Sequence, residues 1–396
     1  MATVQRTQLV PMNGSEAIAK AVVQANVDFA SAYPITPQTI IVERLSDLVA
    51  SGQTKTAFVN VESEHSALSA CVGASLAGGR VFTATSSQGL ALMHEVLYLT
   101  SGLRCPIVMA VANRALSAPI SIHGDHSDMM GSRDSGWIQL YVENAQEAYD
   151  WVIQAYKVAE DERVALPFTV NMDGYVVTHS VEPISLLEDA AVDKFVPPRR
   201  PGLKLDPNQP VTFGTLTLPD YYSEFKRQQE EAMRMVPETF AEVTKEFAEV
   251  SGRRYDRFVP YALEDAKIAI VSLGSASGTI RWVARNLRKQ GLPVGSLKLA
   301  LYRPFPHEEV GRLLENLDVV IVLERALSPG SHTGPLASDV VVSLYNRSGQ
   351  PQVLDIVAGL GGRDLSPESI EKIFRTGLEA GKRPTGLEME FAEVRE

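Results

Sequence analysis

Short apolar runs rich in Val, Ile and Ala alternate with stretches whose apolar residues recur every three or four positions. The first 180 residues carry most of this alternation. Asn13-Gly14-Ser15-Glu16 has the form of a capping box and opens a helix with Ile18, Val22 and Ala25 on one face. A strand is expected near Val27–Ala32, followed by the turn Tyr33-Pro34-Ile35-Thr36-Pro37. There Thr36 suits an N-cap, Pro37 the first helical position, and Ile40, Ile41, Leu45 and Leu48 the buried face. Strand Ala57–Val61 leads to Ser63, a cap for a small-residue helix ending at Gly78-Gly79. Strand Val81–Thr85, a helix from about Gln88, strand Pro106–Ala112, a helix after Asn144 and strand Pro167–Met172 follow.

The pattern changes at Val196-Pro197-Pro198-Arg199-Arg200-Pro201, and an irregular connector runs to about Pro219. Residues 221–250 are charged and helical, with a weaker apolar face of Phe225, Met233, Met235, Phe240, Val243 and Phe247. From Ala266 the alternation resumes: strand Ile268–Leu273, turn Gly274–Gly278, a helix to Gln290, then strands Leu297–Leu301, Val319–Leu323 and Val353–Val357. Ser366-Pro367-Glu368 caps a last helix. The expected fold is α/β, with two doubly wound, mostly parallel sheets. The expected domains are residues 1–195, a connector at 196–260, and residues 261–396.

Composition narrows the function. The chain has 396 residues, 45% of them hydrophobic, with net charge −11 and no basic run, so a nucleic-acid partner is not expected. No apolar run is long enough to cross a membrane and residues 1–6 lack a signal-type apolar core, so a soluble cytoplasmic protein is expected. The two cysteines, Cys71 and Cys105, sit in apolar surroundings and cannot hold an iron–sulfur cluster.

Four stretches could carry chemistry. The Tyr33–Pro37 turn would hold the Thr36 hydroxyl at the carboxyl end of a strand, where open α/β sheets bind ligands. It equally suits a plain capped helix start. Glu64 stands at the mouth of a helix built for burial, where a carboxyl can exchange a proton with a ligand nitrogen or simply favour the helix dipole. Thr85-Ser86-Ser87-Gln88-Gly89 opens a helix after a strand, so its N–H groups could face a ligand; no Lys follows the Gly as in a Walker A loop. Arg114, just past strand Pro106–Ala112, suits a substrate carboxylate or a surface ion pair. The nearby His123, Asp125, His126 and Asp128 leave open a metal-dependent hydrolase, and a non-catalytic assembly scaffold is a further alternative.

Taken together and in this order, these motifs, with Asn113-Arg114-Ala115, Gly124-Asp125-His126-Ser127-Asp128 and Leu301-Tyr302-Arg303-Pro304-Phe305, resemble the α subunit of the 2-oxoacid:ferredoxin oxidoreductases. The resemblance spans nearly the whole chain. It implies transketolase-type domains and thiamine diphosphate as cofactor. Glu64 matches the glutamate that hydrogen-bonds the pyrimidine N1′, Thr36 and Arg114 match substrate contacts, and Ser87 and Gln88 match cofactor contacts. No residue of this chain is expected to bind metal. The Gly-Asp-Gly motif that binds diphosphate and Mg2+ is absent from the chain. In the family that motif and the iron–sulfur clusters lie on partner subunits: β holds diphosphate, Mg2+ and a cluster, δ is ferredoxin-like, and γ contributes to coenzyme A handling. Ferredoxin is the implied electron acceptor. A neutral Thr36 with one nearby arginine suits a monocarboxylate, so pyruvate is the expected substrate, with 3-methyl-2-oxobutanoate as alternative.

Overall fold

The computed structural model describes residues 8–382, 387 and 389–395. Residues 1–7, including the segment expected to lack a signal-type core, lie outside the described residues. The strands in chain order are β1 (Gln8–Met12), β2 (Phe29–Ala32), β3 (Ala57–Asn60), β4 (Val81–Thr85), β5 (Ile107–Asn113), β6 (Ile138–Tyr141), β7 (Phe168–Asp173), β8 (Glu182–Leu186), β9 (Phe258–Tyr261), β10 (Ile268–Leu273), β11 (Val294–Leu299), β12 (Leu301–Arg303), β13 (Val319–Glu324), β14 (Gln352–Val357) and β15 (Met389–Phe391). One sheet has the order β12-β6-β7-β5-β4-β2-β3 and is parallel except at β12/β6. The other has the order β15-β14-β13-β10-β11-β9 and is parallel except at β11/β9. β1 and β8 form a separate antiparallel pair.

Strands β4, β5, β6 and β7 are buried along their whole length, as in a sheet covered on both faces; β5 is nearly all apolar, whereas β6 and β7 bury polar Gln139, Thr169 and Asn171 as well. One face packs on helices Gly14–Gln24 and Ala145–Ala159, through Ile18, Val22, Trp151 and Tyr156. On the other face a single apolar cluster runs from Leu68, Leu97 and Trp137 into Val271, Leu299 and Tyr302, and so joins the two sheets. The helix Gly14–Gln24 starts with the expected reciprocal Asn13/Glu16 box.

Several elements depart from the sequence pattern. The Thr36–Pro37 bond is cis and the helix begins at Thr39, so Thr36 is not its N-cap; Gln38 precedes the first turn. The expected strand Leu297–Leu301 is two strands. β11 stays in the second sheet, whereas β12 crosses to pair with β6 at the edge of the first. The helix Pro219–Ser251 is longer than its apolar pattern. It docks from Ala232 onward, through Ala232, Val236, Phe240, Val243 and Phe247, and Phe225 is exposed.

One carboxylate ties the two sheets together. Asp173, the last residue of β7, accepts from His126 Nε2 at 2.6 Å, from Arg325 Nη1 at 2.7 Å and from the Ser275 amide at 2.7 Å, and also from the Ser275 hydroxyl. Ser275 follows β10 and Arg325 follows β13, so first-sheet and second-sheet loops meet on this side chain. Gly274, with φ +67°, lets the turn approach, since a Cβ there would lie 2.8 Å from Asp173 Oδ2. Burial alone would raise the Asp173 pKa, but Arg325 and His126 outweigh it and hold the carboxyl far below the usual range. A depressed carboxylate pKa gives stability that is full above the unfolded value near 4 and is lost as pH falls below it. Asp173→Asn should therefore lower unfolding free energy at pH 7 by about 3–5 kcal/mol, with a smaller deficit below pH 4. Denaturant unfolding checks this; a variant as stable as wild type at pH 7 would contradict it.

Candidate active site at the strand-order reversal

After β2 the chain moves outward to β3, then returns to β4 on the other side of β2. Such a reversal opens a crevice beyond the carboxyl ends of the two strands, where ligands bind in open α/β sheets. The turn 33–37 follows β2, and residues 86–89 follow β4. The crevice thus falls between two of the motifs singled out by sequence.

Gln38 joins its two walls. Fully buried, it accepts from the Ile35 amide at 3.2 Å and donates to the β4 carbonyl of Ala84 at 3.0 Å. Thr36 is exposed, and its carbonyl accepts from Arg114 Nη1 at 2.9 Å. Arg114 is 7% exposed and also donates from Nε to Ser121 O. No carboxylate pairs with it among the described residues, and two of its five donors are engaged. A buried guanidinium in that state can take a ligand carboxylate.

Glu64 opens the helix Glu64–Leu76 behind Ser63, whose hydroxyl accepts from the Ser66 amide. The Glu64 side chain is buried and has no hydrogen-bond or ionic partner among the described residues. Gly89 lies against it: a Cβ there would sit 2.5 Å from Glu64 Oε1 and 2.6 Å from Thr85 Oγ1. The hydroxyls of Thr85 and Ser86 are buried without partners. Buried polar atoms are almost always satisfied, so a carboxyl without a partner among the described residues, next to the unpaired Thr85 hydroxyl, marks a place built for a polar ligand.

Ser87 is positioned differently from its neighbours. Its hydroxyl donates to Ala115 O at 2.6 Å, Gln88 Oε1 lies within hydrogen-bond distance, and its amide donates to Asp128 Oδ2 at 3.0 Å. With φ +47° the residue turns inward, so Ser87 shapes the loop through its backbone. Asp128 also accepts from the Arg114 amide at 2.9 Å and from Asn113 Nδ2 at 2.9 Å. Burial pushes its pKa up to about 6 despite these donors. Asp128 thereby sets the 86–89 loop against the 113–114 loop. Sequence reasoning missed this role, and that of Gln38, because both act across the fold.

The His/Asp run is otherwise committed. His126 is on Asp173, Asp125 Oδ1 and Oδ2 accept from the Ser127 and Gly361 amides at 3.0 Å each, and His123 lies against the Tyr175 ring. Among the described residues no group of three or more His, Cys, Asp or Glu could hold a metal ion. The metal-dependent hydrolase therefore lacks a site there.

Residues 20–245 match the family described as pyruvate flavodoxin/ferredoxin oxidoreductase, thiamine diphosphate-binding, and residues 266–370 match pyruvate:ferredoxin oxidoreductase core domain II. The chain belongs to this oxidoreductase family. It is 50% identical over 370 residues to a pyruvate synthase subunit PorA of Thermotoga maritima, covering 93% of this chain and 94% of that one. The PorA subunit of Methanocaldococcus jannaschii is 46% identical, covering 91% and 93%. A ketoisovalerate oxidoreductase subunit VorA of Pyrococcus abyssi is 40% identical, covering 94% of each. A solved 2-oxoglutarate:ferredoxin oxidoreductase of Magnetococcus marinus superposes with TM-score 0.73 at 21% identity, over 94% of this chain and 66% of that longer one. With a split-gene transketolase at TM-score 0.55 and 14% identity, it bears out the transketolase-like fold. Among the described residues no helix is long and apolar enough to cross a membrane.

The tight approach at Gly89 gives a direct test. Gly89→Ala should displace the Glu64 carboxyl and cost about 1–3 kcal/mol of stability from overpacking. Turnover by the assembled enzyme should fall at least tenfold, as expected for a misplaced reacting group. Thermal unfolding and steady-state rates check it; full activity would contradict the placement of Glu64.

Proposed function

We propose that this chain is the α-type subunit of an enzyme that converts pyruvate, coenzyme A and oxidised ferredoxin to acetyl-CoA, CO2 and reduced ferredoxin. The observation that carries this reading is the buried Glu64 carboxyl, without a partner among the described residues and close to the unpaired Thr85 hydroxyl, at the strand ends from which Arg114 and the Thr36 turn also emerge. That donor set fits the aminopyrimidine end of thiamine diphosphate. When bound, the cofactor supplies an acidic carbon that adds to a 2-oxo group and accepts the electrons of decarboxylation. Glu64 holds and exchanges a proton at the pyrimidine N1′. Thr85 and Ser86 offer hydroxyls to the ring's polar edge, and the 86–89 loop with Gln88 shapes the wall behind it. Arg114 binds the substrate carboxylate through its free donors, and the exposed Thr36 hydroxyl meets the substrate's oxygens.

The half-site is completed by partners. This chain has no Gly-Asp-Gly motif and only two cysteines, so diphosphate, Mg2+ and iron–sulfur clusters are assigned to β- and δ-type subunits, and coenzyme A handling to a γ-type subunit. Exposed Tyr33, Val59 and Leu92, on the turn after β2, on β3 and on the helix after β4, suit burial against such a partner, as do Tyr98 and Leu99 on the next helix. The proposed division of the chain is a cofactor-facing unit at 1–195, a connector at 196–260, and a second unit at 261–396. Pyruvate is preferred because the relatives named pyruvate synthase are 43–50% identical, against 40% for the ketoisovalerate subunit.

In the assembled complex, Glu64→Gln should fold normally and lower pyruvate-dependent viologen reduction by about 10²–10⁴-fold. An unchanged rate would remove Glu64 from the chemistry. Arg114→Ala should lower kcat/KM for pyruvate by about 10- to 150-fold, the worth of a hydrogen bond to a charged group, mainly through KM. An unaltered KM, or wild-type kcat/KM higher for 3-methyl-2-oxobutanoate than for pyruvate, would overturn the substrate assignment.

A further inference from the structure

A groove of about 670 Å3 lies at the opposite end of the first sheet from Glu64. Its floor is formed by residues just ahead of the strands: Arg80 before β4, Pro106 before β5 and Ala165 before β7. Strand β4 alone separates the two ends by about 16 Å, at roughly 3.3 Å per residue. The outer wall is the connector 196–203 with Phe213.

The charges of this groove do not cancel. Arg80 is spent on Glu160 through two bonds of 2.9 and 2.7 Å, Lys157 pairs with Glu246, and Asp161 pairs with Arg163. Arg104 and Arg199 are held by carbonyl oxygens instead. Arg104 donates to Ala165 O at 3.1 Å and Val164 O at 2.6 Å, with a long contact to Gln228 O at 3.5 Å. Arg199 Nη1 donates to Ser75 O at 3.2 Å and to Gly79 O, and lies 3.3 Å from Ser75 Oγ. Among the described residues no carboxylate pairs with Arg104, Arg199 or the exposed Arg200, whereas Glu162 is the groove's one carboxylate without an ion pair. Three guanidiniums thus face one carboxylate, on a chain of net charge −11. Burial holds the Arg104 and Arg199 guanidinium pKa values below their ordinary range, a cost that a bound anion would remove.

We propose that this groove binds a small organic phosphate of nucleoside diphosphate size. The guanidinium forks match phosphate oxygens. Leu103, Pro197, Leu203 and Phe213 provide apolar walls for a flat ring, and the volume is that of ligand pockets in general. The site is separate from the crevice that holds Glu64, and its test needs no turnover.

Calorimetric titration of the full chain with ADP, and separately with inorganic pyrophosphate, tests the proposal. ADP should bind saturably at one site per chain and more tightly than pyrophosphate. Arg199→Gln and Arg200→Gln should each weaken ADP at least about tenfold, as for a lost charged hydrogen bond. Arg200 is exposed, so its variant folds even if loss of the Arg199 contacts does not allow folding. No saturable binding, affinity unchanged by Arg200→Gln, or equal affinity for pyrophosphate would overturn the proposal. So would ADP binding that disappears when the chain is assembled with its partners, since the groove would then be a subunit contact.

Discussion

The arrangement rests on the Asp173 carboxylate. It ends a central strand of the first sheet, and the loops after two central strands of the second sheet close on it through Ser275 and Arg325. His126 brings the long loop 114–127 to the same point, and its amide donates to Arg325 O at 2.7 Å. A buried ion in an apolar core is costly unless every lone pair is met. Here four donors from three loops meet it, so the geometry is over-determined. That loop runs between Arg114 and Asp128, so the lock that joins the sheets also fixes one wall of the crevice.

From that wall the order passes inward by carboxylate and amide. Asp128 takes the amides of Ser87 and Arg114 and so sets the two loops in register. Gln38 does the same between the Thr36 turn and β4. The residues proposed to react carry few bonds of their own. Thr85 and Ser86 keep unpaired hydroxyls and Glu64 has no side-chain partner among the described residues, while Gln38, Ser87 and Asp128 are bonded to their surroundings. A site that spends its hydrogen bonds on supports and leaves its reacting atoms free is preorganised for a ligand.

Much of this was legible from the chain. Val81–Thr85 and Ile268–Leu273 are buried on both faces, so their apolar and β-branched runs announced them, and Asn13, Ser63, Asn144 and Ser366 capped helices where their side chains said they would. β1, β6, β8, β9 and β15 were missed: β9 and β15 are three- or four-residue edge strands, β1 and β8 pair only with each other, and polar Gln139 interrupts the four-residue β6. Thr36 was placed as a cap from local residue preference, whereas the helix begins at Thr39 behind Gln38, whose side chain is instead spent on Ile35 and Ala84. Among site residues, Glu64 and Arg114 follow from their place at element ends. Gln38, Asp128 and Asp173 do not, because each acts on partners that only the folded sheet brings near.

On the proposed reading this chain carries one half of a thiamine diphosphate site, with the reacting groups in place and the diphosphate anchor on a partner. Equilibrium titration of thiamine diphosphate and Mg2+ into the chain alone, and into the chain assembled with its partner subunits, tests it most directly. The chain alone should show no saturable binding and the assembly should bind tightly. Equal, tight binding to the isolated chain would contradict it.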